Sequence, residues 1–146
     1  MKFRLALLGL LALLSSSANA QFIPNLDDPL LGYRKGGKFY RFDPAISEFN
    51  QSGKLVRLEG SCASACTMFL SVRNACVDPN ATFLFHAGRD RNRMLSASAT
   101  EHMLRTYHAS LRNFLIANHY MDTFEFHAIS GSDMIRKFGY RACPSK

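Results

Sequence analysis

The sequence predicts one α/β domain, with a small, mostly parallel sheet flanked by helices, and three observations predict it. Short apolar runs at 30–34, 54–58 and 81–85 alternate with helically spaced segments over short links, the order that builds parallel crossovers. Hydrophobic residues make up 47% of the 146 positions and aromatics 12%, enough to fill one core. No repeat, low-complexity tract or linker divides the chain after residue 20.

The first twenty residues read as an export signal. Lys2 and Arg4 give a basic start, Leu5 to Leu14 an apolar run, and Ala18-Asn19-Ala20 a small-x-small cleavage site. The run is half of the roughly twenty residues a spanning helix needs, so it is expected to be cleaved, leaving residues 21–146 as the domain. A periplasmic or secreted location is therefore expected, with no membrane span after cleavage.

Residues 21–29 are rich in Pro and Asp and are expected to be an irregular lead-in. Leu30 to Arg34 is a strand candidate ending at Gly36-Gly37. Asp43-Pro44 reads as an N-cap and first helical residue, with Ala45, Ile46 and Phe49 as the apolar stripe and Gly53 as the stop. Lys54 to Leu58 is a second strand. Ser64 to Val72 is apolar on nearly every side and suits a helix buried on a sheet. Ala81 to Phe85 is a third strand, ending at His86.

The second half reads as helical. Ser98 and Glu101 form a capping box for a helix to about Asn118, with a stripe of Met103, Leu104, Tyr107, Leu111, Phe114 and Leu115. Asp122 to Ala128 is expected to add one or two turns. Ser130 with Asp133 opens a last helix that Gly139 ends.

Formal charge is +7, and loss of Lys2 and Arg4 would take two from it. The balance favours anionic surfaces. The basic residues are scattered and not interleaved with stacking aromatics, which argues against nucleic acid. Cys62, Cys66, Cys76 and Cys143 are disulfide candidates in an exported chain, and three pairings are open. Zinc is the rival for Cys62-x-x-x-Cys66, but no second compact ligand pair follows. His102 and His108 are six apart, a poor helical metal pair, and with His119 and His127 read as surface or half-buried polar groups. Neither a metal nor a cofactor is called for.

In a parallel sheet, ligands collect beyond the carboxyl ends of the strands. Gly36-Gly37, Gly60 to Ser64 and His86 each follow such an end, so three separate stretches are expected on one rim. Ser64 stands at a strand-to-helix junction, beside the free N–H groups of a helix start. It has the position of a nucleophile, with His86 as general base and a Gly-rich turn adding an oxyanion donor. A plain helix cap and a strand-end histidine would account for the same two residues. Arg89, Asp90, Arg91 and Arg93 form either a solvated loop or a rim that attracts an anionic substrate. Neither Gly-Asp-Ser-Gly nor Gly-x-Ser-x-Gly occurs.

The segment Gly60 to His86, GSCASACTMFLSVRNACVDPNATFLFH, resembles the Clp protease proteolytic subunit and the wider Clp/crotonase superfamily. That motif has a Gly, small residues, Ala-Ser and a buried helix, then a strand ending in Ile/Phe-His. The resemblance implies a reduced Clp/crotonase-like domain in which Ser64 is the nucleophile, His86 the base, and the N–H groups of Gly37 and Ala65 the oxyanion donors. Lys137-Phe138-Gly139-Tyr140 resembles the family's closing Tyr-Gly-Leu. The chain is also similar to small secreted bacterial proteins of unassigned function with Cys-x-Ser-Ala-Cys-Thr, a Phe-His segment and a final Tyr/Phe-x-x-Cys.

Two departures bear on function. Where the family places the Asp that orients its histidine, about a dozen residues before the final Gly, this chain has His127; Asp122, Glu125 and Asp133 do not match by offset, so the third acid is unknown. Arg34-Lys35 replaces the Ser-Pro before the glycine pair. The chain is shorter than the family's usual domain, so neither its ring nor its ATPase is implied, and self-association is left open. The expected activity is a secreted or periplasmic serine hydrolase acting on a peptide or small-molecule substrate. The alternatives are a non-catalytic relative that binds a ligand or partner through the same rim, and a disulfide-stapled structural protein.

Overall fold

The computed structural model describes residues 28–146. The expected signal peptide, 1–20, and most of the lead-in lie outside the described residues. The described part is mixed α/β, as expected, with two small sheets.

The chain enters through turns, not the strand expected at 30–34. Asp28 sets them: its Oδ1 accepts from the Leu30 N–H and its carboxylate pairs with Arg34. Three-residue main-chain bonds follow at Leu31, Tyr33 and Gly36. Leu30 is buried as the anchor. Helix α1 spans Phe39–Ser52 and starts four residues before Asp43. Phe39 and Phe42 extend the apolar stripe backwards, and Phe42 packs with Tyr33 and Phe69. Pro44 therefore lies inside the helix. Gly53 ends α1 in the left-handed region, as its sequence position predicts.

Strands β1 (Val56–Leu58) and β3 (Ala75–Val77) pair in parallel, as do β2 (Ser61–Ala63) and β4 (Thr82–Phe85). Main-chain bonds from Asp78 to Leu58 and from Thr82 to Gly60 bridge the two ladders, so 56–63 runs alongside 75–85 as one kinked pair. The run from Ser64 to Ser71 is a 3-10 helix, buried from Ala65 to Leu70. It carries the chain from β2 back to β3.

The single helix expected from Ser98 to Asn118 is two: α2 (Ala97–Leu104) and α3 (Ala109–Ala117). Ser96, not Ser98, caps α2 by accepting from the Ala99 N–H. Polar groups make the break. Thr106 donates back to the Met103 carbonyl, and the His108 N–H turns to the Tyr140 hydroxyl. Tyr107 is thereby delivered into the core.

The turns expected at 122–128 are a loop leading into β5 (His127–Ser130), antiparallel to β4. Alternation of Phe124, Phe126 and Ala128 has the strand period, and pairing with the exposed edge of β4 decides for it. Helix α4 (Gly131–Phe138) is as predicted, with Ser130 accepting from the Asp133 N–H and left-handed Gly139 at the end. Disulfides join Cys62 to Cys66 and Cys76 to Cys143. The second ties the C-terminal segment to β3, where Cys143 also donates its N–H to Val77. Two disulfides fit an oxidising compartment. Among the described residues no helix is long and apolar enough to cross a membrane.

Candidate functional site

The register of β2 and β4 builds the site. Ala63 pairs with Leu84, so Ser64 and His86, each the first residue past a carboxyl end, emerge side by side from adjacent parallel strands. Continued by one residue, the register sets Ser64 opposite Phe85, with His86 one residue further along the adjacent strand.

Ser64 departs sharply from the strand before it. Ala63 is extended (φ −109°, ψ 144°), whereas Ser64 has φ 57°. Relative to a strand residue, this turns the Cβ about the N–Cα bond by roughly half a revolution. The left-handed region costs a non-glycine residue about 1 kcal/mol or more, so the surroundings must hold it. They do. The Thr67 hydroxyl donates to the Ser64 carbonyl at 2.7 Å and lies 2.6 Å from the Tyr107 hydroxyl. The Cys62–Cys66 disulfide closes a short loop centred on Ser64. Both cysteines are buried, while Ser64 stays half-buried and is not sealed in.

The glycine turn lies against this serine. A methyl group at Gly36 would come 2.7 Å from Ser64 Cβ and 2.8 Å from the Ala63 carbonyl oxygen. Gly36, not Gly37, makes the close approach, and its N–H is spent on the Tyr33 carbonyl. The Gly37 N–H makes no main-chain hydrogen bond among the described residues. Ala65 is in the first turn of the 3-10 helix, where N–H groups lack helical acceptors, and Ala63 supplies no side-chain cap. The turn, the serine and the helix start thus share one edge.

His86 is buried, at 6% exposure. Its ring meets Phe126 edge-on at 4.8 Å and Phe124 at 6.4 Å. Burial holds its pKa below the usual histidine value; the Ala87 backbone opposes this and the Arg89 charge reinforces it. Among the described residues Nδ1 has no hydrogen-bond partner of normal geometry. That is the nitrogen an orienting acid would hold. Asp122 pairs with His119, and Asp133 with Arg136 and Lys137. Glu125 makes no side-chain ion pair among the described residues. His127 pairs in register with Phe85 and stacks on Tyr120. None of these orients His86.

Of the other histidines, His102 bonds Asp43 and His108 stacks on Tyr140. Among the described residues no group of three or more His, Cys, Asp or Glu is placed to hold a metal. Cavities of about 190 and 300 Å³ flank the core, the larger touching Ala87, Ser96, Thr100 and Asp122, but neither is lined by Ser64 or His86. No local pattern marks Thr67 and Tyr107 as supports of Ser64. Phe124 and Phe126 were detectable as a strand-period pair. Compared with known proteins, the chain matches no protein-family model and no curated protein.

Proposed function

We propose that the protein is a secreted or periplasmic serine hydrolase of Clp/crotonase type, acting on peptide or related acyl bonds. The observation that carries this reading is the left-handed Ser64 at the end of β2, beside His86 at the end of the adjacent parallel strand. Strain of this kind persists where surrounding structure over-determines it, and it clusters at functional sites.

In the proposed reaction, neutral His86 accepts the Ser64 proton as Oγ attacks the acyl carbon. The oxyanion that forms takes hydrogen bonds from the N–H groups of Gly37 and Ala65. The C–N bond then breaks, and imidazolium returns its proton to the leaving amine. Water, deprotonated by the same ring, frees the acyl group from Ser64. With no carboxylate on Nδ1 among the described residues, ring orientation falls to Phe124 and Phe126. The rate is expected to be low, since replacing a triad acid elsewhere costs about four orders of magnitude. The two disulfides and the expected signal peptide support the location.

The unpartnered Nδ1 favours a second reading, a non-catalytic descendant that binds a ligand at this rim. Fluorophosphonate labelling separates the two. The hydrolase reading expects one adduct on Ser64 by peptide mass mapping. A folded protein with no adduct rejects it in favour of binding, which Ser64→Ala would leave intact.

A further inference from the structure

The rim beside His86 carries a cation with no counter-ion among the described residues. Elsewhere Arg34, Arg57, Arg105 and Arg136 pair with carboxylates, while Arg41, Arg73, Arg91, Arg93, Arg112 and Arg141 do not among the described residues. Arg89, three residues past His86, pairs with no carboxylate among the described residues. The adjacent Asp90 is occupied, its Oδ1 accepting from the N–H groups of Asn92 and Met94. The Arg89 guanidinium instead sits 4.0 Å over the Phe124 ring. The guanidinium makes no hydrogen bond to a protein acceptor among the described residues, which leaves its N–H donors available to a carboxylate. Phe124 in turn lies 6.4 Å from the His86 ring. On the other side Phe126, 53% exposed, offers an apolar face directly against that ring.

We infer that Arg89, seated on Phe124, together with Phe126 against the His86 ring, forms a subsite for a carboxylate on a short apolar stem, next to the bond that Ser64 and His86 act on. This rests on the hydrolase reading for its purpose, though not for its binding chemistry. Two sources carry such a group, an acidic side chain and a free peptide C-terminus. Bound there, the carboxylate would also offset the Arg89 charge, which otherwise opposes protonation of His86 during the reaction.

The test uses the Ser64→Ala protein, so that binding is read without turnover. Amide NMR spectra are titrated with N-acetylglutamine (terminal carboxylate only), N-acetylglutamic acid α-amide (side-chain carboxylate only) and the neutral N-acetylglutamine amide. The expected result is saturable shifts at 86–89 and 124–126, with at least one carboxylate binding roughly tenfold or more tighter than the neutral compound. The tighter of the two identifies the source. Arg89→Gln removes the preference and Arg91→Gln keeps it, at matched thermal midpoints. Equal binding of all three compounds, or a preference that survives Arg89→Gln, overturns the proposal. Loss of Ser64 labelling with the preference intact removes the hydrolase reading alone; labelling with no preference removes the subsite alone.

Discussion

The hydroxyls of Thr67 and Tyr107 meet at 2.6 Å in the core, forty positions apart, and the Thr67 hydroxyl is also bonded to the Ser64 carbonyl. Thr67 spends its one proton on Ser64, so Tyr107 is the donor to Thr67. Burial raises the Tyr107 pKa and keeps that proton in place. The helix break after Leu104 thus positions the residue that braces the left-handed serine.

Thr67→Val strands the buried Tyr107 hydroxyl and removes the side-chain bond to the Ser64 carbonyl, and should cost about 2–3 kcal/mol. Tyr107→Phe leaves the Thr67 bond to Ser64 in place and should cost about 1 kcal/mol. Urea unfolding gives the ranking. Ser64 labelling should slow more in Thr67→Val than in Tyr107→Phe.

Gly36→Ala must push its methyl into Ser64 and Ala63 from a φ of +77°, and should destabilise by about 2–4 kcal/mol. Gly131→Ala meets the Asp78 carbonyl even more closely, away from the serine. Both variants should unfold earlier on heating. At a temperature where each is folded, only Gly36→Ala should have lost Ser64 labelling.

Much of this frame is legible in the sequence. The buried run at 64–72, the strand ending at Phe85 and the Ser130–Gly139 helix rest on local signals: apolar composition, caps and a terminal glycine. The misreadings occur where tertiary contacts decide. A three-residue strand such as β3 has too little pattern to stand out, and 122–128 becomes loop and strand because β4 has an edge to pair. The 98–118 stripe continues across the break, so helical periodicity alone cannot reveal that Tyr107 leaves it to bond Thr67. For the site, Ser64 and His86 follow from strand ends, but their juxtaposition depends on a register no single segment encodes.

The two disulfides should separate stability from site geometry. Loop-closure entropy gives about 4 kcal/mol for a bridge across 67 positions and about 2 kcal/mol across 4. Cys76→Ala/Cys143→Ala should therefore lower the urea midpoint more than Cys62→Ala/Cys66→Ala. Ser64 labelling should rank the pairs the other way.

Stability should depend on pH through His86. Its pKa is depressed on folding, so the unfolded chain binds the proton more readily. The contribution of neutral His86 is present above the unfolded value of about 6.5 and is lost as pH falls through the folded value. Denaturation across pH 5 to 8 should show wild type losing stability towards acid, with a smaller slope in His86→Gln. The labelling rate should reach half its maximum below pH 6.5.

The most direct measurement compares the rate of fluorophosphonate adduct formation at Ser64 in wild type, His86→Ala and Ser64→Ala at neutral pH. A base beside the nucleophile predicts an adduct on Ser64 in wild type, formed about a hundredfold or more slowly in His86→Ala and absent in Ser64→Ala. Equal rates in wild type and His86→Ala, with both proteins folded, would contradict it.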